Sequence, residues 1–316
     1  MSLRAGAETI IDQCLKIQEN EQVAVVNDDN DQDLINAITD YLDEKNISYN
    51  IYEYEEPETS GTEPPERVAE AMKEADVFIA PTKKSITHTQ ARINATEAGV
   101  RGATLPGIDK EIWNAALQAD YSEVERITEK AMEKARGVEK IRIETDEGTD
   151  ITFEVDSELF HPDTGIVHED GDMSNLPAGE IYTGPIKAEG ELVTEENIFG
   201  EEEVKLNITD GKVQSIENAS EDSNIVEKVE NVDGADNIAE FGFGTNPEAF
   251  LVGYPLQDEK ILGTVHIAIG DNCFCFPDRH ERQVESSIHW DFVLQNPTVW
   301  FDGEKVLDEG EPVFLD

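Results

Sequence analysis

Two histidines and an aspartate in the last third of the chain have the types and spacing of a metal site. His266 lies in the segment Gly-Thr-Val-His-Ile-Ala-Ile-Gly, and His289 and Asp291 lie in Ser-Ser-Ile-His-Trp-Asp-Phe-Val. In both segments small or polar residues alternate with apolar ones, which predicts strands with one buried face. Because side chains two positions apart share a strand face, His289 and Asp291 should point the same way. If the two strands are neighbours, His266 joins them, and two imidazoles with one carboxylate form a ligand set for a divalent cation.

Two glutamates lie in segments that are rich in glycine, alanine and proline and contain no other acidic residue, unlike most of this acid-rich chain. Glu180 lies in Asn-Leu-Pro-Ala-Gly-Glu-Ile-Tyr-Thr-Gly-Pro, and Glu240 lies in Asn-Ile-Ala-Glu-Phe-Gly-Phe-Gly-Thr-Asn-Pro. The small residues around Glu240 allow other backbone or side-chain atoms to approach closely. The chain contains 71 acidic residues, however, and most acids lie on the surface. Local sequence alone therefore leaves both glutamates as either surface acids or ligands.

Strands alternate with helices through about residue 118, which predicts a doubly wound α/β domain with a parallel sheet. Short apolar segments predict strands at 22–26, 48–54, 76–81 and 102–106, and helical spacing predicts helices at 3–18, 34–42, 65–74, 87–98 and 109–119. The first strand is followed by an Asp/Asn run at 27–31, where a dinucleotide-binding domain would carry Gly-x-Gly-x-x-Gly. We therefore expect no nucleotide cofactor.

A charged helix predicted at 121–136 connects this half to one with a different pattern. Beyond Gly137 the chain shows alternating segments, and Asp210-Gly211 and Asp302-Gly303 are strong hairpin signals. The second half should therefore be mainly antiparallel β-sheet. We predict two domains, an α/β domain with its connector helix at 1–137 and a β-rich, metal-binding catalytic domain at 138–316.

The net charge of the chain is −47, from 71 acidic and 24 basic residues. Because periodic apolar segments run nearly from end to end, this excess indicates an acidic folded surface and not disorder. Acid spread over a folded surface is typical of proteins from a salt-saturated cytoplasm, where ions screen the repulsion. We expect a halophilic protein that does not bind nucleic acid, because this charge would repel phosphates.

The cysteines and the apolar segments favour a cytoplasmic location. Cys14, Cys273 and Cys275 form no disulfide framework, as fits a reducing compartment. The first residues show no apolar run before a cleavage site, and no segment approaches the roughly 20 apolar residues of a membrane span. We therefore expect no membrane partner.

The order of the four motifs that contain the candidate residues resembles the thermophilic-type metallo-aminopeptidases, the aminopeptidase T and AmpS family. The resemblance covers chiefly residues 175–316, with a looser match over 76–107. It implies a cleft between an α/β domain and a β-rich domain, in which five side chains hold two divalent cations, often zinc or cobalt, with manganese a further possibility. The matching positions are Glu180, Glu240, His266, His289 and Asp291. The resemblance also implies a homodimer that removes N-terminal residues from short peptides with a metal-activated water, either glutamate being a candidate for proton transfer.

One position departs from that family. The family has a catalytic tyrosine seven residues after its first histidine, and this chain has Cys273 there. Tyr182 and Tyr254 are alternative sources of a hydroxyl. The second interpretation is a ring-cleaving dioxygenase similar to the dihydroxypyridine enzymes of the same fold, in which His266, His289 and Asp291 would hold one Fe(II). The third is a non-catalytic metal-binding homologue.

Overall fold

The computed structural model of the chain describes residues 3–194, 204–220 and 223–315. The chain divides into two compact units, of which unit 1 comprises Met1–Glu125 and Thr164–Ala178, and unit 2 comprises Arg126–Asp163 and Gly179–Asp316. This division differs from the single predicted boundary after residue 137. The difference arises because the chain returns to unit 1 for a short segment after it has begun unit 2.

The helices are shorter than the sequence predicts in several places, and a π-helical turn at Thr9–Cys14 continues the first one. The α-helices are α1 Leu3–Glu8, α2 Gln32–Glu44, α3 Glu66–Glu74, α4 Gln90–Glu97, α5 Lys110–Trp113, α6 Tyr121–Ala135, α7 Asn224–Asn231 and α8 Pro255–Asp258. The amphipathic pattern of α2 buries Leu34, Ile35 and Ile38. Among the described residues, no helix is both long enough and apolar enough to cross a membrane.

The strands form one parallel and two antiparallel sheets. In chain order they are β1 Gln22–Asn27, β2 Ser48–Glu53, β3 Val77–Ala80, β4 Arg101–Thr104, β5 Lys140–Glu144, β6 Asp150–Glu154, β7 His161–Asp163, β8 Met173–Asn175, β9 Glu180–Thr183, β10 Lys187–Thr194, β11 Val204–Thr209, β12 Lys212–Glu217, β13 Ile238–Gly244, β14 Val265–Gly270, β15 His289–Leu294, β16 Thr298–Phe301, β17 Glu304–Asp308 and β18 Glu311–Pro312.

Unit 1 contains a five-stranded sheet in the order β2-β1-β3-β4-β8, and all of its neighbouring strands are parallel. The predicted parallel sheet is therefore confirmed. All four residues of β3 are buried, as a central parallel strand requires. The fifth strand was not predicted, because β8 has only three residues, Met-Ser-Asn, without an apolar pattern.

Unit 2 contains an eight-stranded sheet, in the order β12-β11-β10-β6-β5-β16-β17-β18, and a five-stranded sheet, in the order β15-β14-β13-β9-β7. Both are antiparallel, as predicted for the second half. The two sheets share a hydrophobic core, in which the ring of Phe241 from β13 lies 5.9 Å from that of Phe153 and 6.2 Å from that of Phe301. Asp210 and Asp302 adopt the positive φ that a tight hairpin turn demands, at 51° and 47°.

Candidate metal centre

One face of the five-stranded antiparallel sheet carries the five predicted ligands, all within unit 2. Alternation along β14 places Val265 and Ile267 in the hydrophobic core and His266 on the opposite face. The register places Ala268 opposite both Glu240 of β13 and Asp291 of β15, so these two carboxylates flank the same position. Residues far apart in the chain therefore reach one spot because three neighbouring strands carry them.

Two glycines on this face make room for an imidazole ring and for a neighbouring backbone segment. Gly242 pairs with His266, and a Cβ at position 242 would lie 2.0 Å from the imidazole Nε2. Gly244 pairs with Glu180, and a Cβ at position 244 would lie 2.1 Å from the carbonyl oxygen of Ile261. Since real Cβ contacts are almost never below 3.0 Å, both positions require glycine for close approach.

Glu240 lies between the two histidines. Its Oε1 is 3.3 Å from Nε2 of His266, and its Oε2 is 3.4 Å from Nε2 of His289. Nε2 of His266 is also 3.4 Å from Oε2 of Glu180, and Nε2 of His289 is 3.3 Å from Oδ1 of Asp291. The structure therefore brings together all five residues that the sequence indicated.

The described residues form three overlapping groups whose ligand atoms lie within 4.8 Å of one another. The groups are Glu180–Glu240–His266, Glu240–His289–Asp291 and Glu259–His266–Asp291. Imidazole nitrogens and carboxylate oxygens suit a divalent transition metal. Within the described part of the chain, the buried atoms Glu180 Oε2 and His266 Nδ1 have no hydrogen-bond partner, as fits a site that takes a further group. The donor set therefore fits a divalent cation.

The centre is open on one side. The side chains of His289 and Asp291 are 26% and 14% exposed, whereas that of His266 is 1% exposed. Nδ1 of His289 lies 2.8 Å from the carbonyl oxygen of Asp271, so this nitrogen acts as the donor and Nε2 faces the carboxylates. A backbone carbonyl that fixes the ring in this way is the usual support for a metal-binding histidine.

Lys260 and Glu259 belong to the centre, and the sequence did not indicate either. Nζ of Lys260 is 2.5 Å from Oε1 of Glu180 and 2.7 Å from Oε1 of Glu259, and its side chain is only 3% exposed. Asn246 holds the segment in place, because its amide donates to the carbonyl of Lys260 and its carbonyl accepts from the amide of Leu262. In such an acidic chain, the segment Asp-Glu-Lys has the composition of an exposed loop, so the local sequence does not indicate that Glu259 and Lys260 belong to the site.

Burial and neighbouring charges have opposing effects on the pKa values of the glutamate and the two histidines of the centre. Burial raises the pKa of Glu180 to about 8, although the charge of Lys260 opposes this. Burial acts to lower the pKa of His266, but the adjacent carboxylates outweigh it and raise the pKa to about 9. For His289, likewise, Asp291 outweighs burial and raises the pKa to about 10. A divalent cation would have to displace protons from both imidazoles.

Three rings, His161, Tyr182 and Phe274, form an aromatic row beside the open side of the centre. The ring of Phe274 lies 5.1 Å from that of His289, edge to face, and 5.9 Å from that of Tyr182. The ring of Tyr182 stacks on that of His161 at 5.2 Å. Burial raises the pKa of Tyr182 above its usual value, so the phenol keeps its proton. The row therefore places ring surface next to the two partly exposed ligands.

The residues considered as replacements for a catalytic tyrosine have different surroundings. Cys273 begins a 3-10 turn at Cys273–Cys275, and all three cysteines of the chain are free. The second thiol of the turn, Cys275 Sγ, lies 4.0 Å from Oε2 of Glu240. Tyr182 lies on the same strand face as Glu180, whereas Tyr254 is 37% exposed in the segment before α8. Tyr182 is therefore the tyrosine that accompanies the centre.

Fold and site together define a two-unit protein with a parallel α/β sheet, an antiparallel β sandwich and a histidine- and carboxylate-rich centre. The chain belongs to the family whose model is described as NicX, 2,5-dihydroxypyridine 5,6-dioxygenase, which matches residues 7–314. This is therefore a family of enzymes. The match agrees with the second interpretation of the sequence, that of a ring-cleaving dioxygenase.

Two solved structures share the fold. The 2,5-dihydroxypyridine dioxygenase from Pseudomonas putida KT2440 superposes with a TM-score of 0.79 at 18% identity, over 98% of this chain and 96% of that chain. Wild-type AmpT from Thermus thermophilus superposes with a TM-score of 0.72 at 17% identity, over 98% of each chain. No curated protein sequence matches this chain significantly. The resemblance to aminopeptidase T therefore holds for the fold, while the matching family model names a dioxygenase.

Proposed function

We propose that the protein is a metal-dependent dioxygenase that cleaves a dihydroxylated nitrogen-containing aromatic ring. The observation that carries the proposal is that His266 and His289 both contact Glu240, with Asp291 against His289, beside the aromatic row of a chain whose family is named for this reaction. Two imidazoles and one carboxylate are the usual ligands of non-haem Fe(II) oxygenases. When bound, iron supplies the one-electron chemistry that allows dioxygen to react with an organic ring.

The side chains of the centre have separate tasks in this proposal. His289 and Asp291, the two partly exposed ligands, would face the substrate, while buried His266 anchors the metal from the sheet. Glu240, between the imidazoles, is placed to accept a proton from a substrate hydroxyl. The exposed ring of Phe274 and the phenol of Tyr182 would bind the flat face of the substrate and exclude water from it.

A second candidate is a two-metal aminopeptidase that acts on short peptides with zinc, cobalt or manganese, as a homodimer. The specific observation in its favour is that each oxygen of Glu240 contacts a different imidazole, an arrangement that allows one carboxylate to bridge two cations. Against it stands Cys273, in the position of the family's catalytic tyrosine. Loss of an oxyanion-stabilising donor typically reduces the rate by about 100-fold or more.

The two candidates are separated by their reactions. We would purify the protein without oxygen in multimolar potassium chloride, load it with Fe(II), Zn(II), Co(II) or Mn(II), and measure oxygen uptake with 2,5-dihydroxypyridine and hydrolysis of aminoacyl anilides. The proposal predicts ring cleavage with Fe(II) alone, and loss of at least about 100-fold in His289→Ala. The matched control, His168→Ala, removes a histidine of unit 1 that contacts the carbonyl of Gln13, and should retain activity. Anilide hydrolysis without oxygen uptake would refute the dioxygenase and support the peptidase.

A further inference from the structure

A short loop at residues 277–283, the arginine loop, carries two positive charges in a strongly acidic chain. Its sequence is Pro-Asp-Arg-His-Glu-Arg-Gln, and it contains Arg279 and Arg282. We propose that these two guanidinium groups bind a carboxylate of the substrate, so that the substrate is a dihydroxylated nitrogen heteroaromatic acid. The inference deepens the proposed function and rests on it, because it assigns the specificity of the same site.

The arginine loop is closed at its base by two amide side chains. Oδ1 of Asn272, which is buried, accepts from the amide of Val284 at 2.7 Å, and its Nδ2 donates to the carbonyl of Arg282 at 3.0 Å. Nε2 of Gln283 donates to the carbonyl of Cys273 at 3.2 Å. The loop is therefore anchored to Asn272 and Cys273.

These two anchoring residues lie between two groups that border the open side of the metal centre. The carbonyl of Asp271, immediately before them, accepts from Nδ1 of His289 at 2.8 Å. The ring of Phe274, immediately after them, lies 5.1 Å from the same imidazole. One continuous segment thus supports a metal ligand, a ring of the aromatic row and the arginine loop. A flat substrate between the metal and Phe274 would have this loop at its margin.

The two guanidinium groups are available to an anion. Both arginines are exposed, and within the described part of the chain no carboxylate forms an ion pair with either of them, although Asp278 and Glu281 are their neighbours in sequence. Arg142, by contrast, pairs with carboxylates of its own sheet. Positive charge that a surrounding excess of acids leaves unpaired is suited to a ligand that brings its own carboxylate.

The loop also fixes the backbone of both arginines. The amide of Arg279 donates to Oε1 of Gln283 at 2.8 Å, and the amide of Arg282 donates to Nδ1 of His280 at 3.3 Å. The ring of His280 in turn stacks on that of Phe276, with 4.6 Å between the centroids and 8° between the planes. Binding therefore has to order only the two side chains, which lowers its entropic cost.

Electrostatics gives the arginines a reason to be there. A chain with a net charge of −47 repels an anionic substrate, and the carboxylates of the centre add to this repulsion. Two guanidinium groups at the margin of the site offset it locally and offer the paired N–H donors that match a carboxylate. A neutral dihydroxypyridine would gain nothing from them.

The inference is tested by binding, with the protein loaded with Zn(II), which has no redox chemistry. Calorimetry without oxygen would compare 2,5-dihydroxypyridine with its 3-carboxylate and its 4-carboxylate. We expect the better of the two acids to bind at least about 10-fold more tightly than the neutral compound, as hydrogen bonds between charged groups provide. Arg279→Gln/Arg282→Gln should lose this difference and bind the neutral compound like the wild type.

The matched control, Arg136→Gln/Lys228→Gln, removes two positive charges elsewhere in unit 2 and should keep the preference for the acid. Thermal unfolding checks that both double variants fold. Equal affinity of the wild type for the neutral compound and both acids, or the same loss of preference in the two double variants, would overturn the inference.

Oxygen uptake by the Fe(II)-loaded wild type, measured with the same three compounds, separates the inference from the proposed function. A preference for an acid in binding without any oxygen uptake rejects the dioxygenase alone. Oxygen uptake together with equal affinities for all three compounds rejects the role of the arginine loop alone.

Discussion

Gly242 lies directly opposite His266 in the antiparallel sheet, and the imidazole fills the space that a side chain at position 242 would take. The histidine can therefore reach the carboxylates only because its neighbour has no Cβ. The geometry of the metal centre therefore depends on Gly242, a residue that has no side chain to bind the metal.

Gly242→Ala should consequently displace His266. We expect metal affinity to fall by about 10-fold to 100-fold, the range found when the support of a metal ligand is lost. The matched control is Gly102→Ala in the parallel sheet of unit 1, where a Cβ would lie 2.4 Å from the ring of Phe78. Both variants should lower the unfolding temperature, and only Gly242→Ala should weaken metal binding in a titration. Equal metal affinity in the two variants would contradict this account.

The partly buried ion pair between Arg101 and Glu21 should contribute to acid sensitivity. Its two hydrogen bonds measure 2.6 Å and 2.7 Å, and the arginine lowers the pKa of Glu21. A carboxylate with a lowered folded pKa stabilises the protein above its unfolded pKa, near 4.5, and this contribution is lost as pH falls through the lower folded value. Glu21→Gln should cost about 1–3 kcal/mol at neutral pH.

The loss in Glu21→Gln should begin to shrink as the pH falls below 4.5, because the unfolded wild-type chain takes up a proton there, and it should vanish once the folded carboxylate is protonated at its lower pKa. Denaturant unfolding at several pH values measures the difference. A surface acid without this pair, replaced in the same way, provides the control. If the difference in unfolding free energy between wild type and variant stays constant down to acid pH, the charge of Glu21 does not stabilise the folded protein.

Phe274, the exposed member of the aromatic row, should bind the ring of the substrate. Replacing it by alanine removes an edge or stacking contact worth about 0.5–1.5 kcal/mol, which corresponds to a rise in KM of up to about 10-fold with kcat little changed. Phe250→Ala removes an aromatic ring that is 48% exposed elsewhere in unit 2 and should leave KM unaltered. Steady-state oxygen uptake measures both. A fall in kcat with unchanged KM would place Phe274 in another role.

The net charge of −47 predicts that stability depends on salt. Raising potassium chloride from about 0.1 M to about 1 M shortens the screening length from about 10 Å to about 3 Å and weakens repulsion between surface acids. We expect the thermal unfolding midpoint to rise over this range, with sodium chloride as a control for screening by any monovalent salt. A midpoint that does not change would remove the halophilic interpretation.

Two histidines and one aspartate of the centre could be predicted from the sequence, because the pattern that indicates them spans only a few neighbouring residues. Alternation of small and apolar residues is readable over a few positions, so it placed His266, His289 and Asp291 on strand faces. Glu180 and Glu240 have no such signal among 71 acidic residues, and only the resemblance of their motifs singled them out.

Lys260 could not be found in this way, because its partner Glu180 lies 80 positions earlier and the contact exists only once the sheet has formed. The same limit applies to the fold. The parallel sheet followed from the alternation of strands and helices, but its fifth strand, Met173–Asn175, is too short to carry a pattern.

That short strand gives the chain an unusual connectivity, since the polypeptide passes between the units after Glu125, after Asp163 and after Ala178. No single cut separates one unit from the other. A fragment ending at residue 137 would lack the partner of β4 and leave a row of unpaired amide and carbonyl groups, which invites self-association. Independent production of unit 1 therefore requires a designed connection between its two segments. The units are distinct in the folded protein, but neither is a continuous stretch of the sequence.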